Sequence, residues 1–138
     1  MPDTRTCILT WSGEGHRFSG KVDKPGAPSM TLDGDGKAGP GPMSALLLAC
    51  AGCSAVDVVD LLEKMRVKLK SLVVEATGVR RDEIPRRYTA INYRYRLSGE
   101  GLEQHHAERA VTLSITKYCS AIASLAPDIK LTHEIVIE

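Results

Sequence analysis

The sequence has almost no net charge and no long run of charge of one sign. Its 138 residues include 18 basic and 17 acidic side chains, which leaves a formal charge of +1. The like-charge clusters are short, Arg80 with Arg81 and Arg86 with Arg87. Nucleic acids and anionic lipid surfaces select strongly basic patches. The composition therefore excludes nucleic acid as a partner and gives no support for a membrane partner.

The first residues lack the apolar run of a secretory signal, so the sequence predicts a cytoplasmic protein. Thiols stay reduced there, so the four cysteines, at positions 7, 50, 53 and 119, are not expected to form a disulfide framework. Each is expected to be a small core residue, a metal ligand or a redox group. Internal repeats and low-complexity segments are also lacking, and the length predicts a single domain over residues 1–138.

One stretch organises the chain. After Gly39-Pro40-Gly41-Pro42, about twenty residues run without proline, and they predict a helix over residues 46–62 with Ser44 as its N-cap. Apolar residues cover nearly its whole circumference, which is typical of a buried helix. Charges in its second half, such as Asp57 and Asp60, argue against a membrane span. One small sheet covers one face of such a helix, so we expect a homodimer; the alternative is a monomer that buries the helix in its own core.

Extended segments with alternating polarity flank this helix. Residues 6–11, 16–22 and 29–32 predict a three-stranded meander, and residues 33–37 a flexible polar lead into the helix. Residues 72–77 and 88–97 predict an antiparallel hairpin, residues 102–117 an amphipathic helix, residues 118–125 a short helix, and residues 129–138 a last strand. One face of the hairpin is expected to carry Thr89, Ile91, Tyr93, Tyr95 and Leu97, with the other face open to water. The last strand is expected to bury Ile129, Leu131, His133, Ile135 and Ile137. The amphipathic helix is expected to bury a stripe through Leu102, His106, Arg109, Ala110, Leu113 and Lys117, continued by Val111, Ser114 and Tyr118. The order predicts an α+β domain with antiparallel pairing.

The cysteines allow several interpretations. Cys50 and Cys53 form a Cys-x-x-Cys pair, but a thioredoxin pair opens a helix, whereas this one lies inside a helix among leucines. Cβ atoms at positions i and i+3 of a helix diverge, so a disulfide between them would be strained. A zinc site would need a second paired-ligand motif, which is missing. Cys7 and Cys50 are therefore interpreted as inert core thiols, and Cys119 is expected at a helix N-terminus, where amides favour a thiolate.

Several motifs together resemble the OsmC/Ohr superfamily of small bacterial thiol-dependent, peroxide-handling proteins. They are Trp11-x-Gly13 with Phe18, Gly39-Pro40-x-Pro42-Met43, Leu46-Leu47-Leu48-Ala49-Cys50-Ala51-Gly52-Cys53, Asp57-Val58-Val59, Glu108-Arg109-Ala110-Val111 and Lys117-Tyr118-Cys119-Ser120. The resemblance runs through nearly the whole chain in the right order. It implies an OsmC-like fold, in which a curved antiparallel sheet and long buried central helices form an intertwined homodimer.

The resemblance also implies a chemistry. Cys53 matches the peroxidatic cysteine and Cys119 the resolving cysteine of an organic hydroperoxide reductase that serves in oxidative stress defence. The partners are then an organic hydroperoxide and a dithiol reductant, for which lipoyl groups are the family's example, with no metal and no other cofactor. An apolar substrate pocket is expected from Met43, Leu46, Leu47, Cys50, Tyr118 and Ile122.

The sequence departs from the family at the residues that would hold a cation beside the peroxidatic thiol and activate it. Peroxide-reducing members supply an arginine, matched here by Arg17, and orient it with a glutamate ten residues before the first cysteine. That position is Met43, so no acid stands there to hold Arg17. Arg109 and the pair His105 and His106 are other candidate cations, with solvated helix residues as the alternative.

The missing acid favours a second class of function, a non-enzymatic thiol protein that senses oxidants or binds a small ligand. Retention of both cysteines favours the peroxidase.

Overall fold

The computed structural model describes residues 3–138. The chain forms two compact units, Met1–Leu46 and Leu47–Glu138. A single domain over the whole chain remains a prediction.

The first unit contains the predicted meander. Strands β1 (Cys7–Trp11), β2 (Arg17–Val22) and β3 (Met30–Asp33) pair antiparallel in the order β1-β2-β3. Every residue of β1 is exposed, and so are the large apolar side chains Ile8, Leu9, Trp11, Val22 and Met30. Cys7 is exposed as well, so its interpretation as a core thiol is wrong for the single chain.

Helix α1 (Pro42–Lys64) confirms the predicted central helix, but Ser44 is wrong as its N-cap, because the helix already begins at Pro42. It buries one stripe at a spacing of about four residues, formed by Cys50, Ala51, Ser54, Val58 and Leu62. Other apolar residues stay open, with Leu48 60% and Val56 61% exposed. By length and composition alone α1 could cross a membrane, because an 18-residue window within it has a mean hydropathy of 2.0. The structure buries 28% of the residues in this window. Burial on most sides is therefore not achieved within one chain.

The second sheet contains β4 (Lys68–Arg80), β5 (Tyr88–Glu100) and β6 (Lys130–Ile137). The β4–β5 hairpin is antiparallel as predicted, and Ile91, Tyr93, Tyr95 and Leu97 form its buried face.

Strand β6 pairs parallel with β5, from Ala90 opposite Lys130 to Leu97 opposite Ile137, so uniformly antiparallel pairing is wrong for this strand. A parallel pair needs a crossover of a dozen or more residues, and residues 101–129 supply it. The predicted core face of β6 is only half-buried at Ile129, Leu131 and Ile135, while His133 and Ile137 are exposed.

The crossover contains α2 (Gln104–Leu113), a π-turn (Ser114–Tyr118) and α3 (Ser120–Ala123). The predicted helix over residues 102–117 thus leaves the α form at Ser114. The predicted stripe is right at Ala110, which is buried, and wrong at Arg109 and Lys117, which are exposed. Of its predicted continuation, Val111 and Ser114 are buried, whereas Tyr118 is exposed.

Candidate functional site

Cys53 and Cys119 meet in the second unit. Cys53 lies on α1 and is half-buried, whereas Cys119 lies between the π-turn and α3 and is 3% exposed. Both thiols are free, and the two interact, since Cys53 is among the groups that raise the pKa of Cys119. The structure therefore brings together two cysteines that are 66 positions apart in the sequence.

Cys119 is the N-cap of α3, as the sequence predicted, but the electrostatic consequence differs. Its Sγ accepts a hydrogen bond from the Ile122 amide at 3.4 Å, which favours the thiolate. Burial outweighs this bond, and together with Cys53 and Asp57 it raises the pKa of Cys119 to about 11. The expected stabilisation of a Cys119 thiolate is therefore wrong for the reduced protein.

Cys50 is fully buried, which confirms its interpretation as a core thiol. Burial raises the pKa of Cys50, and the nearby Tyr93 hydroxyl opposes this only in part. The Tyr93 hydroxyl itself is buried and has no nitrogen or oxygen hydrogen-bond partner within residues 3–138. The Cys119 thiol points at the Cys50 carbonyl oxygen, 3.9 Å away.

A hydroxyl chain runs beside the thiols and was missed by sequence reasoning. The Ser54 Oγ lies 2.6 Å from the Tyr95 hydroxyl and 2.8 Å from the Ser114 Oγ, which donates to Asp57 Oδ2 at 3.0 Å. Ser54, Ser114 and Tyr95 are fully buried, and Asp57 is half-buried. Burial raises the pKa of Tyr95 to about 12. The one available signal was the position of Ser54 on the buried stripe, midway between Cys50 and Val58.

Arg17 lies in the first unit on β2, directly opposite Asp33 on β3. Its Nε is 4.0 Å from Asp33 Oδ2. Asp33 is 1% exposed and accepts the amide hydrogen bonds of Asp35, Lys37 and Ala38, which hold its pKa below the usual range. An acid other than residue 43 therefore faces Arg17, and the turn after β3 is organised around this carboxylate rather than being a free polar lead.

The other candidate cations lie on α2. The ring centroids of His105 and His106 lie 4.0 Å apart with the ring planes tilted by 40°. His105 Nδ1 is 3.6 Å from Glu103 Oε2, and the Glu103 amide donates to His106 Nδ1 at 3.1 Å. The ligand atoms of these three residues lie within 4.8 Å of one another, and these contacts account for their arrangement. Arg109 is exposed on the same helix. These contacts are all local to α2 and its N-cap. They fit the alternative that His105, His106 and Arg109 are solvated helix residues and not cations that activate Cys53.

The predicted pocket residues divide between the two units. Met43 and Leu46 belong to the first unit, and Leu47, Cys50, Tyr118 and Ile122 to the second. Tyr118 is 47% exposed. It lines a mostly polar cavity of about 270 Å³ with Asp57, Asp60, Leu61 and Lys64. The surroundings of Tyr118 are thus more polar than the apolar lining that we expected there.

This fold and site define a class of small α+β proteins in which a thiol pair lies between a long central helix and a π-turn. The chain belongs to the OsmC-like protein family, whose model matches residues 34–134. Protein YhfA from Escherichia coli strain K12 is 40% identical over 105 residues, which cover 75% of this chain and 78% of that protein.

Solved structures confirm the OsmC-like fold. A hypothetical protein from Aquifex aeolicus VF5 has a TM-score of 0.83 and 31% identity, with 99% of both chains covered. An organic hydroperoxide resistance protein from Elizabethkingia anophelis has a TM-score of 0.68 and 12% identity, with 100% of this chain and 99% of that chain covered, a likeness of fold alone.

Proposed function

We propose that the chain is a thiol peroxidase that reduces organic hydroperoxides, with Cys53 as the peroxidatic thiol and Cys119 as the resolving thiol. Membership in the OsmC-like family supports a redox or stress-related role in the broad sense. The observation that carries the finer proposal is the meeting of a half-buried thiol with a buried one.

The reaction balances with these two thiols. The Cys53 thiolate sulfur bonds to the terminal peroxide oxygen, the O–O bond breaks, and the leaving alkoxide takes up a proton to become the alcohol. The sulfur loses two electrons and becomes a sulfenic acid. Cys119 then attacks this sulfur, an S–S bond forms, and the sulfenic oxygen leaves as water. A dithiol supplies two electrons and two protons to restore both thiols.

The difference between the two thiols supports the order of the steps. Cys53 is the partly accessible sulfur, so a peroxide can reach it first. Cys119 is almost fully buried, and its raised pKa keeps it protonated until a sulfenic acid forms beside it.

Arg17, with Asp33 as its acidic partner, remains the proposed activating cation. The apolar pocket, the dithiol reductant and the cytoplasmic location are part of the same proposal.

A redox-sensing or ligand-binding thiol protein is the second candidate, favoured by Met43 in place of the family's glutamate. Turnover separates the two functions. An enzyme with excess dithiol consumes many equivalents of peroxide, whereas a sensor is oxidised once.

The test mixes reduced protein with one equivalent of cumene hydroperoxide or of hydrogen peroxide. Free thiols are counted over time, and the product is mapped by peptide mass spectrometry. We expect rapid loss of two thiols, a link between Cys53 and Cys119, and a faster reaction with the organic peroxide. Slow thiol loss without this link would refute the peroxidase and leave the second candidate.

We also infer that the chain forms a homodimer. Apolar side chains are exposed in the first unit, such as Leu9 and Trp11 at 57% each, and on α1, such as Leu48 and Val56. Open apolar area of this kind marks an interaction surface, and homodimer interfaces are the more apolar class. A second copy is the partner that the family's intertwined dimer implies.

Leu48→Asp and Val56→Asp should each shift the protein from dimer to monomer, because each buries a carboxylate in the proposed interface. We expect the dimer dissociation constant to rise at least about a hundredfold, measured by sedimentation velocity. Glu63→Asp, an exposed acid on the same helix, is the control that should leave it unchanged. A wild-type chain that is monomeric at micromolar concentration, or that partitions into liposomes, would contradict the dimer.

A further inference from the structure

The hydroxyl chain beside the thiols has a fixed direction. The Asp57 carboxylate and the Ser54 carbonyl can only accept, and they lie 3.0 Å and 3.4 Å from the Ser114 Oγ. The single hydroxyl proton of Ser114 is therefore directed to these acceptors, with Asp57 the nearer, and not to the Ser54 hydroxyl. The Ser54 hydroxyl then donates to Ser114, and the Tyr95 hydroxyl donates to Ser54. Every hydroxyl in the series is satisfied, and the carboxylate at one end orients them all.

Serine at two fully buried positions calls for a physical reason. A buried hydroxyl is costly unless it is hydrogen-bonded, and an apolar side chain of similar size would avoid that cost. Such networks specify one arrangement of the elements that they join. Here the elements are α1, which carries Cys53, β5, and the π-turn that leads to Cys119.

The backbone of Ser114 connects the hydroxyl chain to Cys119. Its carbonyl oxygen accepts the hydrogen bond of the Cys119 amide at 2.8 Å, which closes the π-turn. π-turns are rare and are frequent at functional sites. One additional residue in a turn rotates the residues that follow by about 100° relative to a regular α-helix, so the π-turn decides which way Cys119 faces.

The geometry points to Ser114 as a positioning residue for the thiol pair: its side chain fixes the π-turn to α1 through Asp57 and Ser54, while its carbonyl holds the Cys119 amide and so sets where the Cys119 thiol lies relative to α1. This inference rests on the proposed function for its biological meaning. Its physical content, the closeness of the two thiols, can be measured without a peroxide.

The first measurement is therefore the equilibrium between the dithiol and the Cys53–Cys119 disulfide in mixtures of reduced and oxidised dithiothreitol at pH 7. Ser114→Ala removes the anchoring hydroxyl, and we expect the equilibrium constant for disulfide formation to fall about tenfold or more, since small displacements of reacting groups are costly. Asp57→Ala, which removes the same acceptor from a half-buried position, should act in the same direction and guards against a Ser114 variant that fails to fold.

Tyr95→Phe is the matched control. It removes one buried hydroxyl of the same network but leaves the bond from Ser114 to Asp57 in place, so the equilibrium constant should change by less than about threefold. Thermal melts of all variants show how much stability each has lost. Three outcomes would each overturn the inference. They are an equilibrium constant that is unchanged in Ser114→Ala, a fall of the constant in Tyr95→Phe as large as that in Ser114→Ala, and a wild-type chain that forms no Cys53–Cys119 disulfide.

The second measurement follows one turnover with cumene hydroperoxide. In Ser114→Ala, formation of the Cys53 sulfenic acid, trapped with dimedone, should stay within about twofold of wild type, while its conversion to disulfide should slow about tenfold or more. A uniform slowing of both steps would contradict a positioning role. If wild-type Cys53 forms no sulfenic acid, the peroxidase fails, and the dithiothreitol equilibrium still decides the inference on Ser114.

Discussion

Cys53→Ser should abolish hydroperoxide reduction. The substitution replaces the proposed sulfur nucleophile with a hydroxyl, which is a far weaker nucleophile towards peroxide and cannot form a sulfenic acid. Cys119 is buried, and its pKa of about 11 leaves it protonated at neutral pH. We expect the second-order rate constant for cumene hydroperoxide consumption in excess dithiothreitol to fall at least about a thousandfold.

Cys7→Ser is the control, because this thiol is exposed in the first unit and is expected to take no part in the reaction. Its rate constant should match wild type. Cys119→Ser should consume the first equivalent of peroxide at the wild-type rate and then accumulate sulfenic acid on Cys53. Loss of activity in Cys7→Ser, or substantial activity in Cys53→Ser, would mean that the peroxidatic thiol has been assigned to the wrong residue.

Closure of the disulfide should accelerate steeply with pH. The attacking species is the Cys119 thiolate, and because the pKa of Cys119 is raised to about 11, the thiolate fraction increases about tenfold per pH unit throughout the range below it. We expect closure to be about a hundredfold faster at pH 9 than at pH 7. Rapid mixing with one equivalent of peroxide, followed by acid quench and intact mass measurement, separates closure from sulfenic acid formation.

The groups that face Cys119 are Cys53 and Asp57 on α1 and Tyr93 and Tyr95 on β5. Cys53 and, to a smaller extent, Asp57 add to the raised pKa of Cys119 through their negative charge. Asp57→Asn keeps an acceptor oxygen for Ser114 but removes the charge, so its pH profile should shift to lower pH. A closure rate that is already flat between pH 7 and pH 9 would show that Cys119 ionises far below pH 11 in the oxidised protein.

The sequence contained enough to predict the strands and the central helix, because alternation and a proline-free apolar run are local signals. Alternation is the same in both directions, so it could not reveal that β6 runs parallel to β5. The π-turn has no comparable signature. Projecting residues 102–117 onto one regular helix put Lys117, which lies within the π-turn, on the buried stripe, although it is exposed. Arg109 lies in the regular part of α2, so its wrong assignment has a different cause.

The thiol pair was identified from flanking motifs, but its surroundings depend on tertiary contacts. Ser54 reads as one more small residue in a helix of small and apolar residues, and its importance comes from Tyr95 and Ser114, 41 and 60 positions away. Asp33 reads as a loop residue among glycines, and only the pairing of β2 with β3 places it opposite Arg17. Burial, which raises the pKa of Cys119, likewise could not be inferred from a helix N-terminus alone.

The parallel pairing of β6 also sets an order of assembly during synthesis. Cys53 lies on a helix that is complete by Lys64, whereas Cys119 lies on the crossover whose far end is held by β6 (Lys130–Ile137). The β5–β6 pairing joins residues about 40 positions apart and cannot form until β6 has left the ribosome. Cys53 therefore exists on the nascent chain before Cys119 is held in place, and this half of the site is completed only after β6 has emerged.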